Sequence, residues 1–245
     1  MSLLLWPASL AIGIVLGMFG AGGGMITVPA LIYLANMPVK QAIAVSLWVV
    51  AIVSFSALVQ QKVWKQLQIR LLLTFGITGM AGSIAGSLFT RYLSEQFQLG
   101  LFALLIFLVT LWLSKVKLTN RVSVFRFIPA SITGFLIGFL TGILGVGGGF
   151  LLVPALIYLG IGHFPTAVAH SLVLIICNAI AGGITYINTT EVPLDTALIV
   201  SAIAVVGSVI GNHFLKTLAG SQLQKIFSMM LVMIGGLMLW RAFTS

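Results

Sequence analysis

The chain has 245 residues, of which 60% are hydrophobic and only 6% are charged. Its mean hydropathy is +1.21, whereas a water-soluble domain carries roughly 25% charged residues because water must wet its surface. This composition excludes a water-soluble enzyme and predicts an integral membrane protein built from about eight hydrophobic helical segments. The net charge of +9 fits the basic cytoplasmic loops of membrane proteins better than a nucleic-acid-binding surface.

Five apolar segments are predicted in each half of the chain. They cover 3–19, 25–34, 42–59, 71–90 and 98–114 in the first half, and 127–144, 150–159, 167–187, 196–215 and 226–240 in the second. The second segment of each half would be only about 15 Å long as a helix, half the thickness of a hydrocarbon core of about 30 Å. We therefore predict that it is half of a re-entrant hairpin, as a broken helix. The fold class is an all-α polytopic membrane helix bundle.

The sequence repeats itself at a constant offset of 125 residues. Twelve of the eighteen residues at 17–34 are identical to those at 142–159, and the register continues without gaps to Phe89 and Phe214. Chance similarity between apolar helices would not keep one offset over this length. The predicted organisation is one membrane domain at 1–245, with repeat 1 at 1–118 and repeat 2 at 126–245.

Loops at equivalent positions of the two repeats have opposite charge character. The loop at 60–70 contains three basic residues and no acid, whereas its equivalent at 185–195 contains two acids and no base. The linker at 115–126 and the loop at 216–225 are also basic. Basic loops lie in the cytoplasm, so the two halves are predicted to be inverted in the membrane. Inverted repeats are common in secondary transporters, whose substrate site lies at the repeat interface near the midplane.

Two glycine runs precede the short apolar segments, at 20–24 and 145–149. Neither run has the Lys-Ser/Thr or the G-x-G-x-x-G spacing of a nucleotide site. Irregular backbone at membrane depth must face protein or water, and a helix that begins at such a turn directs its positive end and free N–H groups toward it. We therefore predict a central anion site at the two turns. The alternative is close helix packing, which suits a second set of glycines: Gly13, Gly17, Gly82, Gly86, Gly138, Gly142, Gly207 and Gly211.

Polar side chains within the apolar segments complete the predicted site. The predicted substrate-binding residues are Gly22, Gly23, Gly24, Thr27, Ser46, Gly147, Gly148, Gly149, His170, Ser171 and Asn178. An ionisable group inside a membrane is a functional hypothesis by default, although His170 could equally be a neutral side chain bonded to a backbone carbonyl. Cys177 is the only cysteine, and the sequence predicts no catalytic set, no metal site and no cofactor.

Both halves contain G-x-x-G-x-G-G-G, three residues, V-P-A-L, and then A-x-A-x-S-L. This duplicated pattern resembles the TauE/SafE family of membrane permeases, often called sulfite exporters, over essentially the whole chain. The resemblance implies transport of small sulfur anions, such as sulfite or sulfonates, across a bacterial or archaeal cytoplasmic membrane. It matches the six glycines of the runs at 22–24 and 147–149, together with Ser46 and Ser171.

We therefore predict a secondary transporter, and an exporter rather than an enzyme, for a small anion such as sulfite. It would be a multi-pass protein of the cytoplasmic (inner) membrane whose partners are the anion and the lipid bilayer, with assembly as a homodimer left open. An anion channel and a non-transporting accessory subunit are the alternatives. The sequence shows no acid deep within a predicted span, so no carboxylate relay for a coupled ion is visible.

Overall fold

A computed structural model describes the backbone of the following residues: 4–20, 23–61, 67–115, 127–159, 161, 164–187, 190 and 192–244. Within these residues the regular structure is entirely helical, with ten α-helices rather than about eight, one for each predicted apolar segment. Their bounds are α1 Leu5–Phe19, α2 Gly23–Leu34, α3 Val39–Gln61, α4 Ile69–Phe89, α5 Glu95–Lys115, α6 Phe127–Leu144, α7 Gly149–Tyr158, α8 Phe164–Ile187, α9 Leu194–Thr217 and α10 Gly220–Thr244. A short 3-10 turn, Thr90–Tyr92, follows α4.

The bundle is apolar outside and carries small polar side chains inside. Along α4, for example, Ile69, Leu73 and Ile77 are more than half exposed, whereas Ser83 and Ser87 are buried. Exposed apolar surface on this scale suits a lipid environment and not water. By length and composition, four helices of the described chain could cross a membrane, namely α3, α4 with its 3-10 turn, α8 and α9. These four are two pairs of repeat equivalents.

The two halves are intertwined through their first and fourth helices. The first helix of the chain, α1, packs on α9, the fourth helix of the second half, and α6 packs in the same way on α4. At the centre α3 packs on α8, while α5 packs on α10. The repeat offset of 125 exchanges the α1–α9 contact with the α6–α4 contact, and it maps the α3–α8 and α5–α10 contacts each onto itself. The contact pattern therefore has the symmetry of the sequence repeat.

Glycine permits the closest of these helix crossings. A Cβ atom at Gly138 of α6 would overlap the Gly79 carbonyl of α4, and one at the equivalent Gly13 of α1 would overlap the Ala204 carbonyl of α9. Backbones approach this closely only where no side chain intervenes. The glycines that the sequence assigns to close packing all lie at these two crossings, which confirms that interpretation: Gly13, Gly17, Gly82, Gly86, Gly138, Gly142, Gly207 and Gly211.

The central helices α3 and α8 are antiparallel. A Cβ at Gly183 would lie 3.2 Å from the Trp48 ring, whereas one at Gly147 would contact both Val50 and Ile175. Residue numbers thus rise along α3 while they fall along α8. Since α3 and α8 are equivalent elements of the repeat, the two halves place their third helices in opposite directions.

Candidate functional site

Each glycine run begins where the first helix of its half ends. Gly20 has a φ of 58° and Gly145 a φ of 68°, in the left-handed region that glycine enters without steric cost. The Gly20 N–H donates to the Leu16 carbonyl at 2.8 Å, and the Gly145 N–H donates to the equivalent Thr141 carbonyl at 2.9 Å. Both helices therefore end in the same left-handed cap.

The chain then turns sharply into the short helices. In the second half Gly147 and Gly148 also have positive φ angles, 66° and 70°, and α7 begins at Gly149. In the first half α2 begins at Gly23, and Gly22 lies outside the described residues. The helix therefore ends at both predicted glycine runs, after Phe19 and after Leu144, and a short helix follows each run.

The two turns lie together beside the midpoints of α3 and α8. A Cβ at Gly147 would be 2.7 Å from Val50 Cγ1 and 3.1 Å from Ile175 Cγ2, and these two residues are repeat equivalents at the midpoints of α3 and α8. A Cβ at Gly24 would overlap the Val146 carbonyl, so the second turn lies directly against the start of α2. The start of α2 and the start of α7 therefore approach each other beside the midpoints of α3 and α8, the two central helices that the repeat relates.

The turns are closely packed in this conformation. Every residue from 141 to 150 is buried, as are Gly23 and Gly24. The first amides of a helix have no carbonyl partner within it, and the helix dipole adds positive potential there. By this rule, two buried helix starts side by side bring two positive helix ends together without any charged side chain.

Ser46 and Ser171 lie one helical turn from the central pair, on α3 and α8. The Ser171 hydroxyl contacts the Gly20 carbonyl at 2.9 Å and the Val168 carbonyl at 2.8 Å. The Ser46 hydroxyl is completely buried, and no hydrogen-bond partner for it exists in the described part of the chain. Ser171 therefore supports the first glycine turn, whereas Ser46 retains a free donor near the centre.

Thr27 and His170 have partners that occupy their polar atoms. The Thr27 hydroxyl donates to the Gly23 carbonyl at 2.7 Å, back onto its own helix. His170 is buried, and its Nδ1 lies 2.8 Å from the Thr166 carbonyl while its Nε2 accepts from the Gln68 N–H at 2.9 Å. A neutral ring with its proton on Nδ1 satisfies both contacts, so His170 ties the start of α4 to α8.

Asn178 lies on α8 one turn beyond Ile175. Its side chain is completely buried against Gly79, and both of its amide atoms lack a partner among the described residues. The sequence singled out Ser46 and Asn178 but not the other residues with buried, unpartnered polar atoms, which are Trp48, Ser54, Gln60, Gln61, Gln98, Ser201 and Asn212. The sequence does show these residues as polar positions within strongly apolar segments. Ser54 and Gln61 are seven residues apart, and Ser201 and Asn212 are eleven apart, so each pair lies on one face of its helix.

Comparison with known proteins gives a match along nearly the whole chain. A family model described as sulfite exporter TauE/SafE matches residues 5–238. A probable membrane transporter protein of Methanocaldococcus jannaschii is 26% identical over 97% of this chain and 96% of its own length. Probable membrane transporter proteins of Xylella fastidiosa and Bacillus subtilis are also each 26% identical, over 96% and 91% of this chain and 93% and 92% of their own lengths. No solved structure matches the chain.

Proposed function

The chain belongs to the sulfite exporter TauE/SafE family of membrane transporters, and from this premise we propose that it exports a small sulfur-containing oxyanion, such as sulfite or an organosulfonate. The proposed location is the cytoplasmic (inner) membrane of a bacterium or archaeon, and similar proteins occur in both groups. The observation that carries the proposal is the approach of α2 to α7, where a Cβ at Gly24 would overlap the carbonyl of Val146 in the turn before α7.

An oxyanion fits this centre by its chemistry. Backbone N–H groups at a helix start bind negatively charged oxygens, and the helix dipole strengthens that binding. The unpartnered Ser46 hydroxyl would supply a further donor one turn away. Because the donors are neutral, an anion can be bound firmly enough for selection and still be released. We assign Gly23, Gly24, Gly147, Gly148, Gly149 and Ser46 to the binding centre, and Ser171 to its support.

The proposed transporter is an inverted repeat with two re-entrant helices. The antiparallel arrangement of the equivalent helices α3 and α8 supports the inversion, because a two-fold axis along the membrane normal would leave them parallel. The short helices α2 and α7 have twelve and ten residues, about 18 and 15 Å, so each reaches about half-way through a hydrocarbon core. Their start beside the midpoints of α3 and α8 supports a turn near the midplane.

Export of a monovalent anion needs no coupled ion when the cell interior is negative. A membrane potential of 100 mV favours its exit by about 2.3 kcal/mol per charge. The chain contains only three acidic residues, and the two described ones, Glu95 and Asp195, lie in the first turns of α5 and α9. No carboxylate in the described residues is therefore positioned within a span for proton or sodium coupling.

Flux measurements with purified protein in liposomes test this function. Efflux of labelled sulfite, thiosulfate and a small sulfonate would be followed at a set membrane potential, with empty liposomes as the control. We expect saturable movement of at least one of these anions that responds to the potential. Flux that does not saturate would favour the channel alternative, and movement of none of them would remove the proposed substrate class.

A further inference from the structure

Two equivalent helix interfaces of the bundle differ in how their polar atoms are paired. The α4–α8 interface and the α3–α9 interface correspond to each other through the repeat offset of 125. Ser83 and Ser87 of α4 are thus equivalent to Ser208 and Asn212 of α9, and Tyr186 of α8 is equivalent to Gln61 of α3. Differences between the two interfaces therefore reflect side-chain chemistry and not a different backbone plan.

The hydroxyl groups along the α4–α8 interface are all bonded within the protein, and its one unpaired side chain among the described residues is the Asn178 amide near the centre. The Ser83 hydroxyl donates to the Asn178 carbonyl at 2.7 Å, and the Ser87 hydroxyl donates to the Ser83 carbonyl at 2.8 Å. At the far end the Tyr186 hydroxyl lies 3.0 Å from Thr90 Oγ1 and 3.1 Å from the Gly142 carbonyl. Tyr186 thereby joins the C-terminal ends of α8, α4 and α6.

The equivalent α3–α9 interface has one side-chain bond, from Gln60 Nε2 to the Ser208 hydroxyl at 3.0 Å, but four other buried side chains there have unpaired atoms. Gln61 Nε2, Asn212 Oδ1, Ser54 Oγ and Ser201 Oγ are buried and have no partner among the described residues, and the four side chains are each at least nine-tenths buried. Ser54 and Ser201 lie a little more than one turn from the middles of α3 and α9, and Gln61 and Asn212 lie near the ends of these helices. Ser201 lies before the middle of α9, whereas the other three lie after the middles of their helices. The unpaired set therefore spans the middle of the bundle and continues to the end formed by the C-termini of α3 and α9.

Buried polar atoms without partners are rare in proteins and normally indicate water or a bound solute. Hydroxyl and amide groups in a row provide N–H and O–H donors for an oxyanion and acceptors for its water. The end of α9 also carries a basic residue, Lys216, in its last turn, which would attract anions to this end. The two interfaces lead from the centre to opposite ends of the bundle, because α8 is antiparallel to α3.

We infer that the α3–α9 interface is the cytoplasmic half of the anion path and that the α4–α8 interface is the outer half, closed here by Tyr186. The inference rests on the proposed transport function. Gln61 and Asn212 lie beside the ends of α3 and α9 that precede basic loops, the cytoplasmic side by the charge rule. In alternating access, the outer half of the path opens when the Tyr186 hydroxyl breaks its contacts with Thr90 and Gly142. The cytoplasmic half closes at the same time.

Cysteine accessibility tests the two halves directly. Single cysteines would replace Ser54 and Asn212 and their equivalents Ala179 and Ser87 in a Cys177→Ala background, with lipid-facing Ile77→Cys as control. The probe is the anionic reagent methanethiosulfonate ethylsulfonate, which crosses membranes poorly. We expect positions 54 and 212 to react from the cytoplasmic side at least about tenfold faster than position 77, since an aqueous thiolate is the reactive form. Positions 179 and 87 should react as slowly as position 77.

Removal of one hydroxyl tests the closure. Tyr186→Phe keeps the ring and its packing, so the variant should fold, and exposed Tyr92→Phe is the matched control. In Tyr186→Phe, positions 179 and 87 should become reactive from the outer side, while Tyr92→Phe should leave them slow. Unchanged labelling in Tyr186→Phe, or slow labelling at both 54 and 212 in the parent protein, would overturn the inference.

The labelling needs no transported substrate, so its outcome is separable from the flux measurement. The expected pattern without sulfite or sulfonate flux would leave the path in place and remove the substrate assignment. Saturable flux with unreactive positions 54 and 212 would remove the path and leave the transport function.

Discussion

Ser46 and Ser171 show how one residue type can have two roles at equivalent positions. Ser171 contacts the Gly20 carbonyl, whereas the Ser46 hydroxyl has no partner in the described chain. A buried hydroxyl without a partner is unfavourable, so its presence close to two helix starts indicates a ligand or water. Loss of the Ser171 hydroxyl would instead leave the Gly20 carbonyl with one contact fewer.

Alanine at the two positions should therefore have different effects. We expect Ser46→Ala to raise the KM for the transported anion by about tenfold to a hundredfold, since a hydrogen bond to a charged group contributes roughly 1.5–3 kcal/mol, and to keep or slightly raise thermal stability, because an unpartnered buried hydroxyl is lost. Ser171→Ala should lower the free energy of unfolding by about 1–3 kcal/mol. Flux kinetics and thermal unfolding in detergent measure the two effects, and equal behaviour of both variants would contradict the division of roles.

His170 is expected to act as a neutral structural side chain. Its two ring nitrogens are occupied by the Thr166 carbonyl and the Gln68 N–H, and a doubly protonated ring could not accept the second bond. His170→Ala should lower the free energy of unfolding by about 1–3 kcal/mol and leave the shape of the pH profile of flux unchanged between pH 6 and 8. A changed profile, with stability corrected for, would indicate that His170 exchanges a proton during transport.

Glycine spacing determines the contacts between elements. Glycines four residues apart create flat helix surfaces, and both crossings of the bundle use such pairs on each helix. The sequence was sufficient to predict two of these surfaces, one formed by Gly13 and Gly17 and the other by Gly138 and Gly142. It could not identify the partner helix, because lipid and protein interior are equally apolar and the segments lack a polar face that would orient them.

The two crossings should be equally sensitive to added side chains. Gly13→Ala and Gly138→Ala each place a methyl group against a carbonyl of the facing helix, and overpacking of this kind costs about 1–3 kcal/mol. We expect both variants to lower the unfolding temperature in detergent. Gly100→Ala, where a Cβ has nothing within 4 Å, is the matched control and should keep or slightly raise the unfolding temperature, because alanine favours a helix more than glycine does. A similar loss at Gly100 would contradict the packing explanation.

Over the whole molecule, the proposed inversion of the two halves is the property that transport requires. Charge in equivalent loops predicts it, and the antiparallel direction of α3 and α8 supports it independently. The intertwining of α1 with α9 and of α6 with α4 was not predictable, since the repeat relates the helices without fixing which copy packs on which. The unpaired polar atoms at Gln61 and Asn212 were also missed, because their burial depends on that packing.

Labelling of two equivalent loop positions tests the inversion. In a Cys177→Ala background, Lys65→Cys should be labelled by an impermeant thiol reagent only from the cytoplasmic side, and Thr190→Cys only from the outer side. The two positions differ by the repeat offset of 125, so each serves as the control for the other. Labelling of both from the same side would contradict an inverted repeat.

The packing of α1 on α9 also has a consequence for synthesis of the chain. When α1 enters the membrane, the helix that fills its glycine groove does not yet exist, and roughly 200 residues must be made first, which takes about 10–40 s at 5–20 residues per second. During that interval Gly13 and Gly17 face lipid or the insertion machinery. The bundle can therefore be completed only after α9, the fourth helix of the second half, has been synthesised and inserted. A chain that terminates before Leu194 leaves α1 without its partner.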